Sequence, residues 1–280
     1  MVGTLNWMCQ GTRPDMSTIT AMLARYQNRP NHKHIEAARY AIRYLNNTRD
    51  LGIIFDSDKK KTLHSYNQFP LDPLHAVADA NWGPQDQSTV TTKTTLPLFK
   101  SRSMSGHLIF LYGPLQWQSK RQTITARSSA EAEIYATDKC VRELSYLRKI
   151  YTGLNLHNQF FSNPISIKND NMACVQWCKN RTTRTIRHIQ LRDNAVRESV
   201  QRKQVSINHI PGKENVADIF TKEDRDKSHF TSLRNKILFP PITCNNILVV
   251  PQKFVFNGFM SIRLDLTQAT GGVSSSSIPT

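Results

Sequence analysis

The chain has 280 residues, of which 39% are apolar, enough for a folded globular core. Lysine and arginine (37) outnumber aspartate and glutamate (21), so the formal net charge is +16 at pH 7. Such an excess favours polyanions, because neutralising phosphates releases condensed counterions. The sequence has no apolar run of about 18 residues and no basic-then-apolar N-terminus, which argues against a membrane partner and against secretion. We therefore expect an intracellular protein that binds nucleic acid.

Five cysteines are scattered along the chain and odd in number, which is not typical of a disulfide framework. We expect a reducing compartment. Cys174 and Cys178 would lie one helical turn apart and could in principle bind a metal. No His/Cys pair at zinc-site spacing accompanies them, so buried small side chains are the better interpretation.

The first elements in chain order are two predicted helices. Residues 12–26 carry apolar side chains at helical spacing, and a second helix follows from Ile35 to Leu45. We expect residues 1–55 to form a small helical segment, separate from the rest of the chain. Residues 56–73, with three consecutive lysines and two prolines, are typical of a linker.

From Leu74 the pattern changes to an alternation of strands and helices. The predicted strands are 74–80, 106–112, 115–118, 165–168 and 205–210, and the predicted helices are 130–151, 172–178, 189–202 and 215–221. Residues 85–103 are rich in polar residues and predict a surface loop or a lengthened hairpin. This order predicts an α/β domain over about residues 74–238, with one mixed sheet and helices on its faces. Residues 239–280 have no sustained period, so we expect a poorly structured tail.

Four acidic residues stand at strand ends or on helices of this predicted domain. Asp79 lies near the end of the first strand, and Asp170 follows the strand that begins at Ile165. Glu133 lies on the long helix, and Asp218 lies within the last helical segment, predicted from residue 215. A carboxylate cluster inside a basic protein is what metal-assisted cleavage of a nucleic acid needs. The four acids together therefore predict a nuclease.

Each acid alone also has a structural explanation. Asp79 could cap a turn, and Asp170 could cap the helix after it. Glu133 could complement the helix macrodipole, and Asp218 could be a solvated helix residue. Only the combination of the four favours a catalytic site.

Glu131 has a structural role in this pattern. Ser128 and Glu131 have the spacing of a capping box at the start of the long helix. Glu133 lies two positions further on, roughly 200° around the helix from Glu131, and is the better candidate ligand.

The motifs around these acids resemble the ribonuclease H domain of copia-type retrotransposon polyproteins. That family carries Asp-Ala-Asp-Trp, Ser-Ser-Thr-Glu-Ala-Glu-Tyr, Asp-Asn at a strand end and Ala-Asp-Ile-Phe-Thr-Lys. In the same order this chain has Asp79-Ala-Asn-Trp82, Ser128-Ser-Ala-Glu-Ala-Glu-Ile134, Asp170-Asn171 and Ala217-Asp-Ile-Phe-Thr-Lys222. Upstream, Thr12-Arg-Pro-Asp15 resembles the end of the reverse transcriptase region. The resemblance covers about residues 1–238.

The resemblance implies a ribonuclease H-like mixed five-stranded sheet with flanking helices, preceded by the helical end of a reverse transcriptase. It also implies that two Mg²⁺ ions, or Mn²⁺ as the alternative, catalyse hydrolysis of the RNA strand of an RNA/DNA hybrid. The implied metal ligands are Asp79, Glu133, Asp170 and Asp218. His209 resembles a histidine that assists proton transfer or product release in some ribonucleases H, or it could merely end a strand.

The expected partners are an RNA/DNA hybrid and an upstream reverse transcriptase domain, in a cytoplasmic virus-like particle or the nucleus. Asn81 stands where the family has a second aspartate, but that position is not a presumed metal ligand. The sequence contains no Tyr-x-Asp-Asp segment, so we do not expect polymerisation by this chain alone. Two other interpretations stay open: a catalytically inactive nucleic-acid-binding remnant, and a structural tether of a polymerase.

Overall fold

The structure is a computed structural model, and it describes residues 1–55, 74–83, 102–156, 161, 163–179, 194–222 and 226–240. The predicted linker 56–73 lies outside the described residues. So do most of the predicted loop 85–103, the start of the helix predicted from residue 189, and the predicted tail from residue 241 onward.

A mixed sheet of five strands forms the centre of the described chain. The strands are β1 (Leu74–Asn81), β2 (Met104–Leu111), β3 (Pro114–Arg121), β4 (Ile165–Asn169) and β5 (Val205–His209). Their order is β3-β2-β1-β4-β5. Strands β1, β2 and β3 are antiparallel neighbours, whereas β4 runs parallel to both β1 and β5. The predicted five-stranded mixed sheet is confirmed, with β3 longer than predicted.

Helices α4 (Ser129–Gly153), α5 (Met172–Lys179) and α6 (Asn194–Gln201) cover one face of this sheet. Alternate strand residues such as Ile109 and Ile167 pack there with Ile134 and Trp177 in the largest buried apolar cluster. The other face carries Val77, which packs in a second cluster with the chain segment after β5. The predicted architecture of a sheet with flanking helices is confirmed.

The segment after β5 differs in type from the prediction. The sequence predicts a helix over residues 215–221, but the structure forms 3₁₀ helices at Gly212–Glu214 and Val216–Phe220, followed by α7 (Lys227–Arg234). The side-chain oxygen of Asn215 accepts from the backbone N–H of Ala217 at 3.1 Å, so the chain starts a tight turn there. We call Val216–Phe220 the Asp218 turn.

The N-terminal segment consists of α1 (Val2–Gly11), a 3₁₀ turn at Pro14–Met16, α2 (Ser17–Ala24) and α3 (His32–Asn47). Helix α3 is confirmed, and α2 lies inside the stretch 12–26 that was predicted to carry a helix, but the prediction missed α1. Pro14 explains why a new helical segment begins after α1, because proline lacks a backbone N–H and is favoured in the first turn of a helix. The segment has a small apolar core that includes Leu5, Met16 and Leu23.

The N-terminal helices pack against the sheet. The indole N–H of Trp117 on β3 donates to the carbonyl of Cys9 at 2.9 Å. Gly52 and Phe239 exchange two backbone hydrogen bonds of 2.9 Å. The described residues belong to one compact unit. The domain boundaries drawn from the sequence stay predictions about how the chain is organised. Within the described parts of the chain, every helix is too short or too polar to cross a lipid bilayer.

Candidate active site

Three of the four predicted acids meet at the carboxyl ends of β1 and β4. Asp79, Glu133 and Asp170 each offer a carboxylate oxygen that lies within 4.8 Å of the other two. The strands β1 and β4 are parallel neighbours, so their carboxyl ends reach the same edge of the sheet. Asp79 and Glu133 are buried, and Asp170 is half-buried. We call these three residues the acidic trio.

The electrostatics of the acidic trio favour a bound cation. Burial raises the pKa of Asp79 to about 7, with further contributions from the charges of Asp218 and Asp170. Burial also raises the pKa of Glu133 well above its ordinary value, and repulsion from Asp79 adds to it. The pKa of Asp170 is raised by burial and then by Asp218. A divalent cation would relieve this repulsion, and a set of carboxylate oxygens suits Mg²⁺ or Mn²⁺.

Asn169 fixes Glu133 within the acidic trio. This fully buried side chain donates from its amide nitrogen to the Glu133 carboxylate at 2.9 Å. Its side-chain oxygen accepts from the backbone N–H of Asn171 at 2.8 Å. The side-chain oxygen of Asn171 accepts from the backbone N–H of Cys174 at 3.0 Å, near the start of α5. Asn171 rather than Asp170 therefore caps α5, and the capping role considered for Asp170 is wrong.

Glu131 has the structural role that the sequence predicted for it. The Ser128 hydroxyl accepts from the backbone N–H of Glu131 at 3.1 Å. The Glu131 carboxylate accepts from the backbone N–H of Arg127 at 2.6 Å, one residue before the expected partner Ser128. Glu131 thus stabilises the start of α4, and Glu133 is buried against the sheet.

Asp218 lies next to the acidic trio but is not one of the mutually close ligand oxygens found among the described residues. The Lys222 ammonium lies 2.5 Å from one carboxylate oxygen of Asp218, and the His229 ring lies 3.5 Å from the other. The Thr221 hydroxyl donates a hydrogen bond to Asp79 and lies 3.3 Å from the Asp218 carbonyl oxygen. Asp218 is therefore coupled to the trio through Thr221 and through its charge.

His209 is exposed at the end of β5. One of its ring nitrogens lies 3.2 Å from the backbone carbonyl oxygen of Asp170. This position is consistent with a role in proton transfer or product release, and equally with a residue that only ends β5. The assignment of His209 and of the four acids as catalytic residues stays a prediction.

The sequence predictions missed the polar residues that hold the acids. Asn169, Thr221 and Lys222 all contact one of the four carboxylates. Asn169 occupies an inward position of a buried strand, where an amide needs hydrogen-bond partners. Lys222 comes four residues after Asp218, a spacing at which opposite charges meet on a helix. Both signals were readable in the sequence.

Comparisons with known proteins agree with the resemblance in the motifs. The chain is 27% identical over 252 residues to the retrovirus-related Pol polyprotein from transposon RE2 of Arabidopsis thaliana. The aligned region covers 89% of this chain and 15% of the relative. It is 27% identical over 225 residues to the corresponding polyprotein from transposon TNT 1-94 of Nicotiana tabacum, covering 79% of this chain and 15% of the relative. The resemblance to copia-type Pol polyproteins is confirmed, and the chain spans 15% of the length of these relatives.

No protein-family model matches the chain. Among solved structures, LC11-RNase H1, isolated from compost, is similar with a TM-score of 0.36 and 14% identity, over 52% of this chain and 92% of that chain. This TM-score is too low to establish a shared fold. The fold assignment rests on the strand order and register of this chain.

Proposed function

We propose that this chain hydrolyses the RNA strand of RNA/DNA hybrids, as the ribonuclease H part of a retrotransposon Pol polyprotein. The convergence of Asp79, Glu133 and Asp170, with Asp218 beside them, carries this proposal. Similarity to Pol polyproteins along most of the chain supports the retrotransposon context. In that context an upstream reverse transcriptase domain is the proposed covalent partner, and the protein acts inside the cell.

The acidic trio would hold divalent cations, with Mg²⁺ as the proposed ion and Asp218 as the further ligand. When bound, two such ions would activate a water for attack on the phosphodiester and would stabilise the leaving 3′ oxygen. The residues of the chain orient and shield these ligands. Asn169 and Thr221 donate hydrogen bonds to the carboxylates of Glu133 and Asp79, which fixes the oxygen positions.

His209 is the proposed proton carrier. It is exposed and lies beside the backbone of Asp170, so it can exchange protons with solvent at the edge of the site.

The net charge of +16 provides sequence-independent attraction for the phosphates of the hybrid. A hybrid is recognised mainly by its shape, its phosphates and the 2′-hydroxyls of its RNA strand. We therefore expect cleavage to depend on hybrid structure and to weaken as the salt concentration rises, with little dependence on base sequence.

Cleavage of a labelled RNA/DNA hybrid in Mg²⁺ tests the proposal, with single-stranded RNA and double-stranded DNA of the same sequence alongside. We expect the wild type to cut only the RNA of the hybrid and the Asp79→Asn variant to cut nothing. Asp50→Asn is the matched control, because it makes the same change at an exposed acid. It should cut like the wild type.

One outcome would replace the proposal. A folded wild type that binds the hybrid at low salt, yet leaves it intact in Mg²⁺ and in Mn²⁺, would point to a nucleic-acid-binding remnant or to a structural tether. Equal cutting by the wild type and by Asp79→Asn would instead indicate a contaminating nuclease, and would remove the support for this site.

A further inference from the structure

The Asp218 turn is held by side chains from three separate elements. The Thr18 hydroxyl on α2 donates to the carbonyl of Ile219 at 2.6 Å. On β3, the Ser119 hydroxyl donates to the carbonyl of Phe220 at 2.6 Å. The carbonyl of the next residue, Thr221, accepts a longer hydrogen bond of 3.4 Å from the amide of Asn81 on β1. Three successive carbonyls thus each receive a side-chain donor.

These donors bond to backbone carbonyls that have no partner within the 3₁₀ helix. The last carbonyls of any helix lack a partner in the helix, and a five-residue 3₁₀ helix has few internal hydrogen bonds to begin with. The turn is buried, with Ile219 and Phe220 at most 1% exposed. A buried carbonyl without a donor is destabilising. The position of the turn therefore depends on where these donors stand.

The start of the turn is fixed in the same way. The buried amide of Asn215 donates to the carbonyl of Ala78 on β1 at 3.1 Å. Ala78 directly precedes Asp79, so the turn is attached to the backbone beside the trio. The turn is followed by Thr221, whose hydroxyl donates to the Asp79 carboxylate. A shift of the turn would therefore move Asp218 and the Thr221 hydroxyl together.

We propose that Thr18 and Ser119, with a smaller contribution from Asn81, are positioning residues that fix Asp218 relative to the acidic trio. This inference rests on the proposed function. Its main consequence concerns α2, because the N-terminal helical segment helps to build the metal site through Thr18. At position 81 the amide matters, since an ionised carboxylate there could not donate to the Thr221 carbonyl.

The test compares Thr18→Val with Thr48→Val in the full chain. Both variants lose a threonine hydroxyl in the N-terminal segment, but the Thr48 hydroxyl bonds to Arg13 and to the Tyr44 carbonyl, away from the Asp218 turn. Ser119→Ala removes a second donor from the other side of the turn. Thr18→Ser keeps the hydroxyl and serves as the conservative rescue.

Two readouts separate positioning from stability. The first is the Mg²⁺ concentration at the midpoint of thermal stabilisation, which needs no catalysis. The second is the split between kcat and KM for the hybrid. We expect Thr18→Val and Ser119→Ala to raise the Mg²⁺ midpoint about tenfold, and to lower kcat with KM nearly unchanged. Thr18→Ser should resemble the wild type, and Thr48→Val should lower only the melting temperature.

Failure of this inference is distinguishable from failure of the proposed function. If the wild type responds to Mg²⁺ and cuts the hybrid, but Thr18→Val and Ser119→Ala keep its Mg²⁺ midpoint and kcat, these hydroxyls only stabilise the fold and the inference is overturned alone. A wild type that neither responds to Mg²⁺ nor cuts overturns the proposed function and this inference with it.

Discussion

The acidic trio and Asp218 are held by different kinds of structure. Asp79 lies on β1, Glu133 lies on α4, and Asp170 comes directly after β4. Regular backbone hydrogen bonding therefore fixes the backbone positions from which these three side chains extend. Asp218 lies on a short 3₁₀ turn that is attached through side chains such as Thr18. One site thus combines three acids whose backbone is held by regular secondary structure and a fourth whose backbone position depends on side-chain hydrogen bonds. Perturbations that displace the turn should leave the trio in place.

The two parts also differ in their charges. Burial raises the pKa of Asp79 and of Glu133, and repulsion adds to it, from Asp218 and Asp170 at Asp79 and from Asp79 at Glu133. Asp218 already has a cationic partner in Lys222, and the His229 ring lies 3.5 Å from its other carboxylate oxygen. A divalent cation therefore relieves more repulsion at the trio than at Asp218. We expect the trio to dominate metal affinity and Asp218 to tune it.

The largest predicted effect is a pH dependence of the unfolding free energy that arises from the ionisation of Asp79. Burial first, then Asp218 and Asp170, raises the pKa of Asp79 to about 7 from an ordinary value of 3.8. Its contribution to stability is therefore fully present below pH 3.8 and is lost as the pH rises through 7. Since each pKa unit corresponds to about 1.4 kcal/mol, Asp79→Asn should gain about 4 kcal/mol over the wild type between pH 4 and pH 8 in EDTA.

Urea unfolding at several pH values measures this difference. The difference between the two proteins is the informative quantity, because burial lowers the pKa of His107 to about 4 and gives both proteins an opposing pH dependence. Saturating Mg²⁺ should stabilise the wild type and not Asp79→Asn. A difference that does not vary with pH would mean that Asp79 ionises normally, and the proposed contrast between the trio and Asp218 would fail.

The second prediction concerns a substitution that should displace the Asp218 turn and leave the acidic trio in place. Gly106 on β2 pairs with Asp79, and a Cβ atom there would lie 2.6 Å from the Phe220 Cβ and 2.8 Å from the Thr221 Cγ2. Gly106→Val should therefore push the Asp218 turn off the sheet, at a cost of about 3 kcal/mol in unfolding free energy. We expect cleavage to be lost while calorimetry still detects Mg²⁺ binding at the trio, with lower affinity.

Gly153→Ala is the control for the Gly106→Val variant, because a Cβ atom at Gly153, at the end of α4, would meet nothing within 4 Å. It should be as stable and as active as the wild type. If Gly106→Val abolishes Mg²⁺ binding altogether, the trio depends on the turn after all. Wild-type stability and cleavage in Gly106→Val would show that the turn does not dock on β2.

The same contrast explains how much of the site could be predicted from the sequence. The acids of the trio are signalled by local patterns, because Asp79 and Asp170 stand at the ends of apolar strands and Ser128 marks the start of the helix that carries Glu133. Parallel strands bring their carboxyl ends to one edge, so the meeting of these residues was also predictable. The fold class was predictable from the same alternation of strands and helices.

Apart from the spacing of Lys222, the structure around Asp218 could not be predicted in this way. The Asp218 turn is short, and neither its 3₁₀ type nor its docking leaves a periodic pattern. The hydrogen bond from Thr18 to the Ile219 carbonyl joins residues 201 positions apart in the chain. Helix α1 was missed for a related reason, since it is stabilised by packing of Leu5 and Cys9 in the N-terminal core rather than by a strong amphipathic pattern.

The smallest predicted effect concerns the ammonium that neutralises Asp218. Lys222 is half-buried, and although burial alone would lower its pKa, Asp79, Asp218 and Asp170 together raise it. Lys222 is therefore a positive charge that would compete with metal ions for the same carboxylates. Lys222→Met keeps most of the apolar stem and removes the charge. It should reduce metal-free stability by about 1 kcal/mol and lower the Mg²⁺ midpoint several-fold.

The sign of this change separates two roles for Lys222. Lys33→Met is the matched control, because it makes the same change at an exposed position of α3 and alters the net charge equally. Tighter Mg²⁺ binding in Lys222→Met alone means that the ammonium opposes the metal at Asp218. Weaker binding would mean that Lys222 orders Asp218 for the metal, as Thr18 is proposed to do. In that case the trio and Asp218 would form one jointly organised site, and the division between them would apply to their backbone support alone.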